Sequence, residues 1–223
     1  MIIIEDSSFP LENEFDCILP FNIRLINNEL EITAYDIVRD IADEFIEKFK
    51  SDPFSNDALD FLNLKLAPIV KDLSYEFDSK RLYTWHHCYY MDDIKRLNID
   101  AILPNTIKWE PNLHYKNLTT FDFEYIGDRV IFVTIIDNQI VSYAYENIFE
   151  GEDGAEISVE TAPNYRNHGY AVSNTAAVTK YSLQLNHNAT YNCTRYNTAS
   201  QRTAEKVGFT NIGKNYYYVC YRK

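Results

Sequence analysis

The stretch from Glu156 to Phe209 constrains the chain most. Ile157, Val159 and Thr161 alternate with Ser158 and Glu160, the period of a strand. Pro163 and Asn164 break that strand, and from Tyr170 onward Val172, Ala176, Thr179 and Leu183 mark one face of a helix. Gly169 and Ala171 put small side chains at the first helical turn. Backbone N–H groups there lack intrahelical partners and the dipole end is positive, which suits a phosphate. The joint lacks the three spaced glycines and downstream acid of a dinucleotide site, and no Gly-Lys-Ser/Thr follows as in a P-loop. Taken alone, it fits either a plain connection or an anion site.

Phe21–Ile26 and Glu29–Ile32 flank Asn27-Asn28 as a hairpin. Thr33 with Asp36 resembles a capping pair for a helix reaching about Lys50, with Ile37, Ile41, Phe45 and Phe49 as its apolar stripe. A second helix is expected from Ala58 to Leu66, kinked or ended by Pro68. Leu103-Pro-Asn-Thr, Glu110-Pro-Asn and the stretch through Gly151 and Gly154 are loop signals. Val130–Ile136 and Ile140–Tyr145 form a hairpin joined at Asp137-Asn138-Gln139. Ala189–Arg195 reads as a strand, Asn197–Val207 as a helix and Asn215–Arg222 as a closing strand. Its Tyr216-Tyr217-Tyr218 run suits an edge or interface strand. The layout is α/β, of the α+β kind, with an α-rich amino-terminal part at residues 1–115 and a core domain at 116–223.

Charge and cysteine usage narrow the function. The net charge is −12, and no Lys/Arg-rich run offsets it, which argues against nucleic acid. The acidity suits either cationic amine acceptors or a solvated surface. An aromatic content of 15% argues against disorder. Cys17, Cys88, Cys193 and Cys220 are widely spaced and read as reduced thiols, hence a cytoplasmic protein. The start is too short and too soon acidic for a signal peptide, and no apolar run reaches membrane-spanning length. Trp85-His86-His87-Cys88 looks like a metal cluster, but adjacent residues diverge and no third ligand stands at zinc spacing, so no metal is expected. Cys193 is a core thiol in this reading, with nothing to mark it as a nucleophile.

Arg166-x-x-Gly169-x-Ala171 resembles motif A of the GNAT acyltransferases, and Asn197-Thr-Ala-Ser200 through Gly208-Phe209 resembles their motif B. The two stand in the family's order, with one helix and one strand between them, and the resemblance covers Arg129 to the end of the chain. It implies a mixed, mostly antiparallel sheet flanked by helices. It also implies acetyl-CoA as co-substrate and an amine of a small molecule or a protein as acceptor. The pyrophosphate would lie on the amides of Asn167, His168, Gly169, Tyr170, Ala171 and Val172, beside Arg166. The pantetheine arm would pair with the backbone of Val159, Glu160 and Thr161, while Asn197 and Ser200 would contact it from motif B. Glu156 and Glu160 are the candidate bases acting through water. Many members carry a Tyr seven residues after the motif B Asn; here that residue is Ala204. This departure keeps a second reading open, a non-catalytic acyl-CoA-binding module. A third reading takes motif A as accidental and the chain as an interaction protein.

Overall fold

The computed structural model describes the backbone of residues 2–5 and residues 17–111, 114–123, 129–148 and 154–222 in full. The loop signals at Asn112 and Gly151 lie outside them. In chain order the strands and helices are β1 (Ile2–Glu5), β2 (Cys17–Ile26), β3 (Glu29–Tyr35), α1 (Arg39–Phe49), α2 (Asn56–Asp72), β4 (Tyr75–Phe77), β5 (His86–Met91), β6 (Thr106–Lys108), β7 (Lys116–Asn117), β8 (Ile131–Ile136), β9 (Gln139–Ile148), β10 (Gly154–Thr161), α3 (Tyr170–Gln184), β11 (Asn188–Thr194), α4 (Thr198–Val207) and β12 (Thr210–Arg222). They form two compact units, residues 1–87 with 212–223, and residues 88–211.

In the first unit β1, β3, β2 and β12 are neighbours, with β4 also on β12. β1–β3 is parallel, while β2–β3, β2–β12 and β4–β12 are antiparallel. Asn27 and Asn28 both take positive φ, 51° and 67°, as the expected two-residue turn requires. Leu59, Leu62, Leu66 and Val70 form the buried stripe of α2 and share one core with Phe21, Ile23, Ile32 and Phe45.

Several expectations change here. Thr33 belongs to β3, and no side chain caps the turn that Asp36 opens; Asp36 instead pairs with Arg39 at 3.0 Å. Ile37 is 55% exposed, so the stripe of α1 rests on Phe45 and Ala42, with Ile41 and Phe49 packed at its border. Pro68 lies inside α2 without ending it. It removes the N–H that would bond the Leu64 carbonyl, but Pro68 and Leu64 both face solvent, where water takes that carbonyl.

The boundary expected at 115/116 also differs from the packing. β5 and β6 belong with the second unit's core and sheet, and β12 joins the first. Tyr216, Tyr218 and Cys220 are fully buried with Phe21 and Phe45, and Phe77 stacks on Tyr218 at 4.0 Å. Tyr216 and Tyr218 are therefore paired and buried, with Tyr217 half-buried between them, and the run is not an exposed edge.

The second unit has the order β5-β11-β10-β9-β8-β6, with β7 beside β9. β8–β9, β9–β10 and β6–β8 are antiparallel; β10–β11 and β7–β9 are parallel. The β8–β9 turn holds only Asp137 and Asn138, with φ 47° and 61°, while Gln139 already pairs with Ile136. α3 packs across β8, β9 and β10, and α4 packs on α3 and β11. Ile157, Ala176, Val178, Tyr191, Ala204 and Phe209 form the core on that face, and Ile131, Val133, Ile140 and Tyr143 form a smaller one around β8 and β9. Both units are thus mixed α/β, with mostly antiparallel sheets flanked by helices. Among the described residues no helix is long and apolar enough to cross a membrane.

Two expected outcomes follow from this packing. Gly208 closes α4 at φ +105°, and a Cβ there would meet the Arg96 carbonyl oxygen at 2.2 Å. Gly208→Ala should cost about 1–3 kcal/mol in urea unfolding, from strain and clash together. Burial pushes the thiols of Cys193 and Cys220 up from 9.0 to about 11 and about 12. Folding therefore favours the protonated thiols. That stability is complete below about pH 9 and declines as pH rises toward 11 and 12. Iodoacetamide at near-neutral pH should leave both thiols unlabelled in the folded protein and label them in urea.

Candidate functional site

β10 pairs with β9 along its length, from Ala155↔Ile148 to Thr161↔Ser142. With β11 it pairs only across Gly154↔Asn188, Ala155↔Ala189 and Glu156↔Thr190. Beyond Glu156 the two strands part. Ala162 N–H donates to the Val141 carbonyl at 2.8 Å. By alternation, the backbone groups of Glu160 and Ser158 face β9, while those of Ile157, Val159 and Thr161 face the side where the ladder has ended. Arg166 Nε donates to the Thr161 carbonyl at 3.3 Å.

The joint to α3 continues this opening. Pro163–Tyr165 makes one helical turn, Asn167 takes φ 65° and Gly169 takes φ 85°. α3 then starts at Tyr170, with no acidic residue in its first turn. An added Cβ on Gly169 would meet nothing within 4 Å, so the space before the helix start is open. A cavity of about 560 Å³ lies there, within the range of small-molecule sites.

The cavity wall carries most of the expected residues: Val159, Glu160, Thr161, Arg166, Asn167, Gly169, Tyr170, Ala171, Val172 and Ser200. His168 is off the wall. Its Nδ1 lies 2.8 Å from the Arg166 carbonyl oxygen, and its ring stacks on Tyr170. Asn197 is off the wall too and caps α4, accepting from Ser200 N–H at 3.1 Å, so it holds Ser200 in position. Glu156 stands at the last paired register, away from the cavity, and accepts from Asn192 Nδ2 at 3.1 Å. Glu160 reaches the wall, but its carboxylate already accepts from Thr120 N–H, Thr120 Oγ1 and Tyr143 OH at 3.1, 2.6 and 3.2 Å. Burial, then Glu160, push the Tyr143 phenol well above its ordinary range.

The wall also holds residues that motif reading passed over. Thr198, Arg202 and Lys206 lie four apart on α4 and all line the cavity. That spacing was visible in the sequence as one helical face. With Arg166 they give three cationic side chains against one carboxylate, in a chain of net charge −12. Converging charge of one sign in a concave site raises the local concentration of anions. Tyr191 lines the cavity from β11, and burial pushes its phenol up to about 12. Ala204 is fully buried in the core, so α4 offers the cavity no hydroxyl at that position.

His86 and His87 build no centre of their own. The His87 ring packs against Trp85 at 4.9 Å, and burial, then Arg81, hold the His86 imidazole below its ordinary range. Among the described residues no three His, Cys, Asp or Glu side chains are grouped to hold a metal ion.

Comparison with known proteins bears on the fold and the family. A GNAT-family protein of known structure from Novosphingobium aromaticivorans is similar over 67% of this chain and 68% of its own, at 14% identity and a TM-score of 0.52. A GCN5-related N-acetyltransferase-like protein from Streptococcus suis matches 70% of this chain and 67% of its own, at 19% identity and a TM-score of 0.46. Only the first likeness is close enough to bear on the fold. No curated protein matches the chain. The family model described as GNAT acetyltransferase matches residues 60–221. With a match over most of its length, the chain belongs to the GNAT acetyltransferase family.

Proposed function

We propose that this protein transfers the acetyl group of acetyl-CoA to an amine of a small molecule or protein. One coincidence carries the reading: a strand edge without a ladder partner, an open helix start and three cationic side chains surround the same cavity. These are the recognition groups that a long amide chain ending in phosphates needs. Val159 and Thr161 present backbone donors and acceptors to the pantetheine amides in the manner of an added strand. The amides from Asn167 to Val172 receive the pyrophosphate, and Arg202 and Lys206 answer the remaining phosphate charge.

The reaction asks little more of the chain. A backbone N–H on β10 donates to the thioester carbonyl oxygen and stabilises the negative charge that develops there. The amine loses its proton through water, since the carboxylate oxygens of Glu160 are engaged and Glu156 stands away from the cavity. The wide spacing of Cys17, Cys88, Cys193 and Cys220, with no C-x-x-C pair, supports a reducing, cytoplasmic setting. A non-catalytic acyl-CoA-binding module is the second reading, favoured by Ala204 and by the engaged carboxylates. Acetyl-CoA turnover with a panel of amines separates the two.

Calorimetry and thermal denaturation with acetyl-CoA test the site. Saturating ligand should stabilise the wild type, by about 2.7 kcal/mol at a hundred times Kd. Gly169→Glu fills the open space with a carboxylate and should abolish binding. Lys206→Glu should weaken binding about tenfold, with the loss shrinking at high salt. A wild type indifferent to millimolar acetyl-CoA would sink the reading.

A further inference from the structure

Much of what α3 buries is polar. Ser173, Asn174, Thr175, Thr179 and Ser182 are all fully buried. Thr175, Thr179 and Ser182 are spaced four and three apart, so they form one stripe along the helix. Ser182 Oγ donates to a carboxylate oxygen of Glu146, which turns the stripe toward β9. By alternation Ser142 and Ala144 share the Glu146 face of β9, and both are fully buried. Short side chains thus stand opposite the hydroxyls. At the other end, Ser142 Oγ lies 2.8 Å from Thr161 Oγ1, and Thr161 is on the cavity wall. Polar side chains therefore run from the cavity wall to a buried carboxylate.

This line is incompletely bonded. Among the described residues, the hydroxyls of Thr175 and Thr179 and both amide atoms of the adjacent Asn174 are buried with no protein partner. Ser182 and Thr203 show what a helical hydroxyl can do instead: each donates to the carbonyl four residues back, at 3.2 and 3.0 Å. Thr175 and Thr179 do not. Glu146 is 5% exposed, and Ser182 is the side chain that donates to its carboxylate. Buried polar groups are nearly always bonded, to protein or to ordered water. A buried carboxylate with a single neutral donor is costly.

We infer that ordered water occupies a seam between α3 and β9, bridging Asn174, Thr175 and Thr179 and completing the hydrogen bonding of Glu146. Internal water needs several polar partners and room beside them. Here the partners are the amide, the hydroxyls and the carboxylate, and the room lies over Ser142 and Ala144. Ile157, Ala176 and Val178 pack in the apolar core alongside. The water solvates the carboxylate and joins the solvent of the cavity to the underside of α3, the helix whose first turn lines that cavity. This concerns the seating of α3 and holds whatever ligand the cavity takes.

The sign of a stability change separates a wet seam from a dry one. Thr175→Val and Thr179→Val each replace a hydroxyl by a methyl group at nearly constant shape. In a wet seam the change leaves a bridging water without its partner, and should lower the urea midpoint by about 0.5 M at unchanged m-value. In a dry seam it removes an unpaired polar group and should raise the midpoint. A high-resolution crystal structure of the wild type reads the seam directly and serves should the variants not fold. It should show water within hydrogen-bond distance of Asn174, Thr175 and Thr179. A raised or unchanged midpoint in both variants would overturn the inference. So would a sodium or potassium ion in the seam, or hydroxyls bonded to the helix's own carbonyls with no water beside them.

Discussion

Where β10 stops pairing with β11, the rest of the site becomes possible. A strand inside a sheet spends its N–H and C=O groups on both neighbours, and a buried backbone group left without a partner costs free energy. Here three paired registers fix the two strands together at Gly154–Glu156, and the ladder then ends. On its other side β10 is held to β9 through Thr161, so the strand keeps its course while one edge is given up. That edge runs straight into the start of α3, where the first amides are likewise without helical partners. The two sets of backbone donors are contiguous in sequence, which is why so few side chains need specifying: a strand, a short turn and a glycine at φ 85° suffice.

The side chains that are specified keep the opening in shape. Asn197 caps α4 and fixes Ser200; Gly208 closes the same helix against the Arg96 carbonyl. Ser173 in α3 bonds Leu103 N–H and Thr106 Oγ1, tying the helix to the β6 region. Glu160, expected as a base, instead clamps Thr120 to the sheet. A carboxylate with three donors is held firmly in place, at the end of the strand whose other edge is open. Around this frame, Arg166, Arg202 and Lys206 give a local positive field in an acidic molecule. Net charge alone left open cationic acceptors or a merely solvated acidic surface, whereas the cationic groups on the cavity wall favour an anionic ligand there, because potential in a concave site is set by the groups lining it.

Much of this was legible in the sequence, for reasons that differ by element. The two hairpins followed from Asn27-Asn28 and Asp137-Asn138, since few residue pairs accept two positive φ values in succession. α3, α4 and β10 followed from periodicity and from the glycines at their ends. Local reading failed where tertiary context decides. Pro68 stays within α2 because the carbonyl it frees faces water. β12 joins a core made mainly by residues more than a hundred positions earlier, which no window around Tyr216–Tyr218 reveals. Of the expected residues, those at the β10 edge and the start of α3 line the cavity; Tyr191, whose place depends on where a ladder ends, and Arg202 and Lys206, whose helical spacing was visible but unassigned, line it without having been expected. Asn197 proved to act through a cap, one step from the cavity.

If the unpaired edge of β10 and the start of α3 receive one ligand together, amide hydrogen exchange with and without acetyl-CoA reads it at the backbone itself. Exchange should slow at Val159, Thr161 and Asn167–Val172 on binding, with Glu160, already directed to β9, changing least among the β10 residues of the site. Protection confined to other parts of the chain, or an unchanged Val159 and Thr161 in a saturated complex, would contradict it.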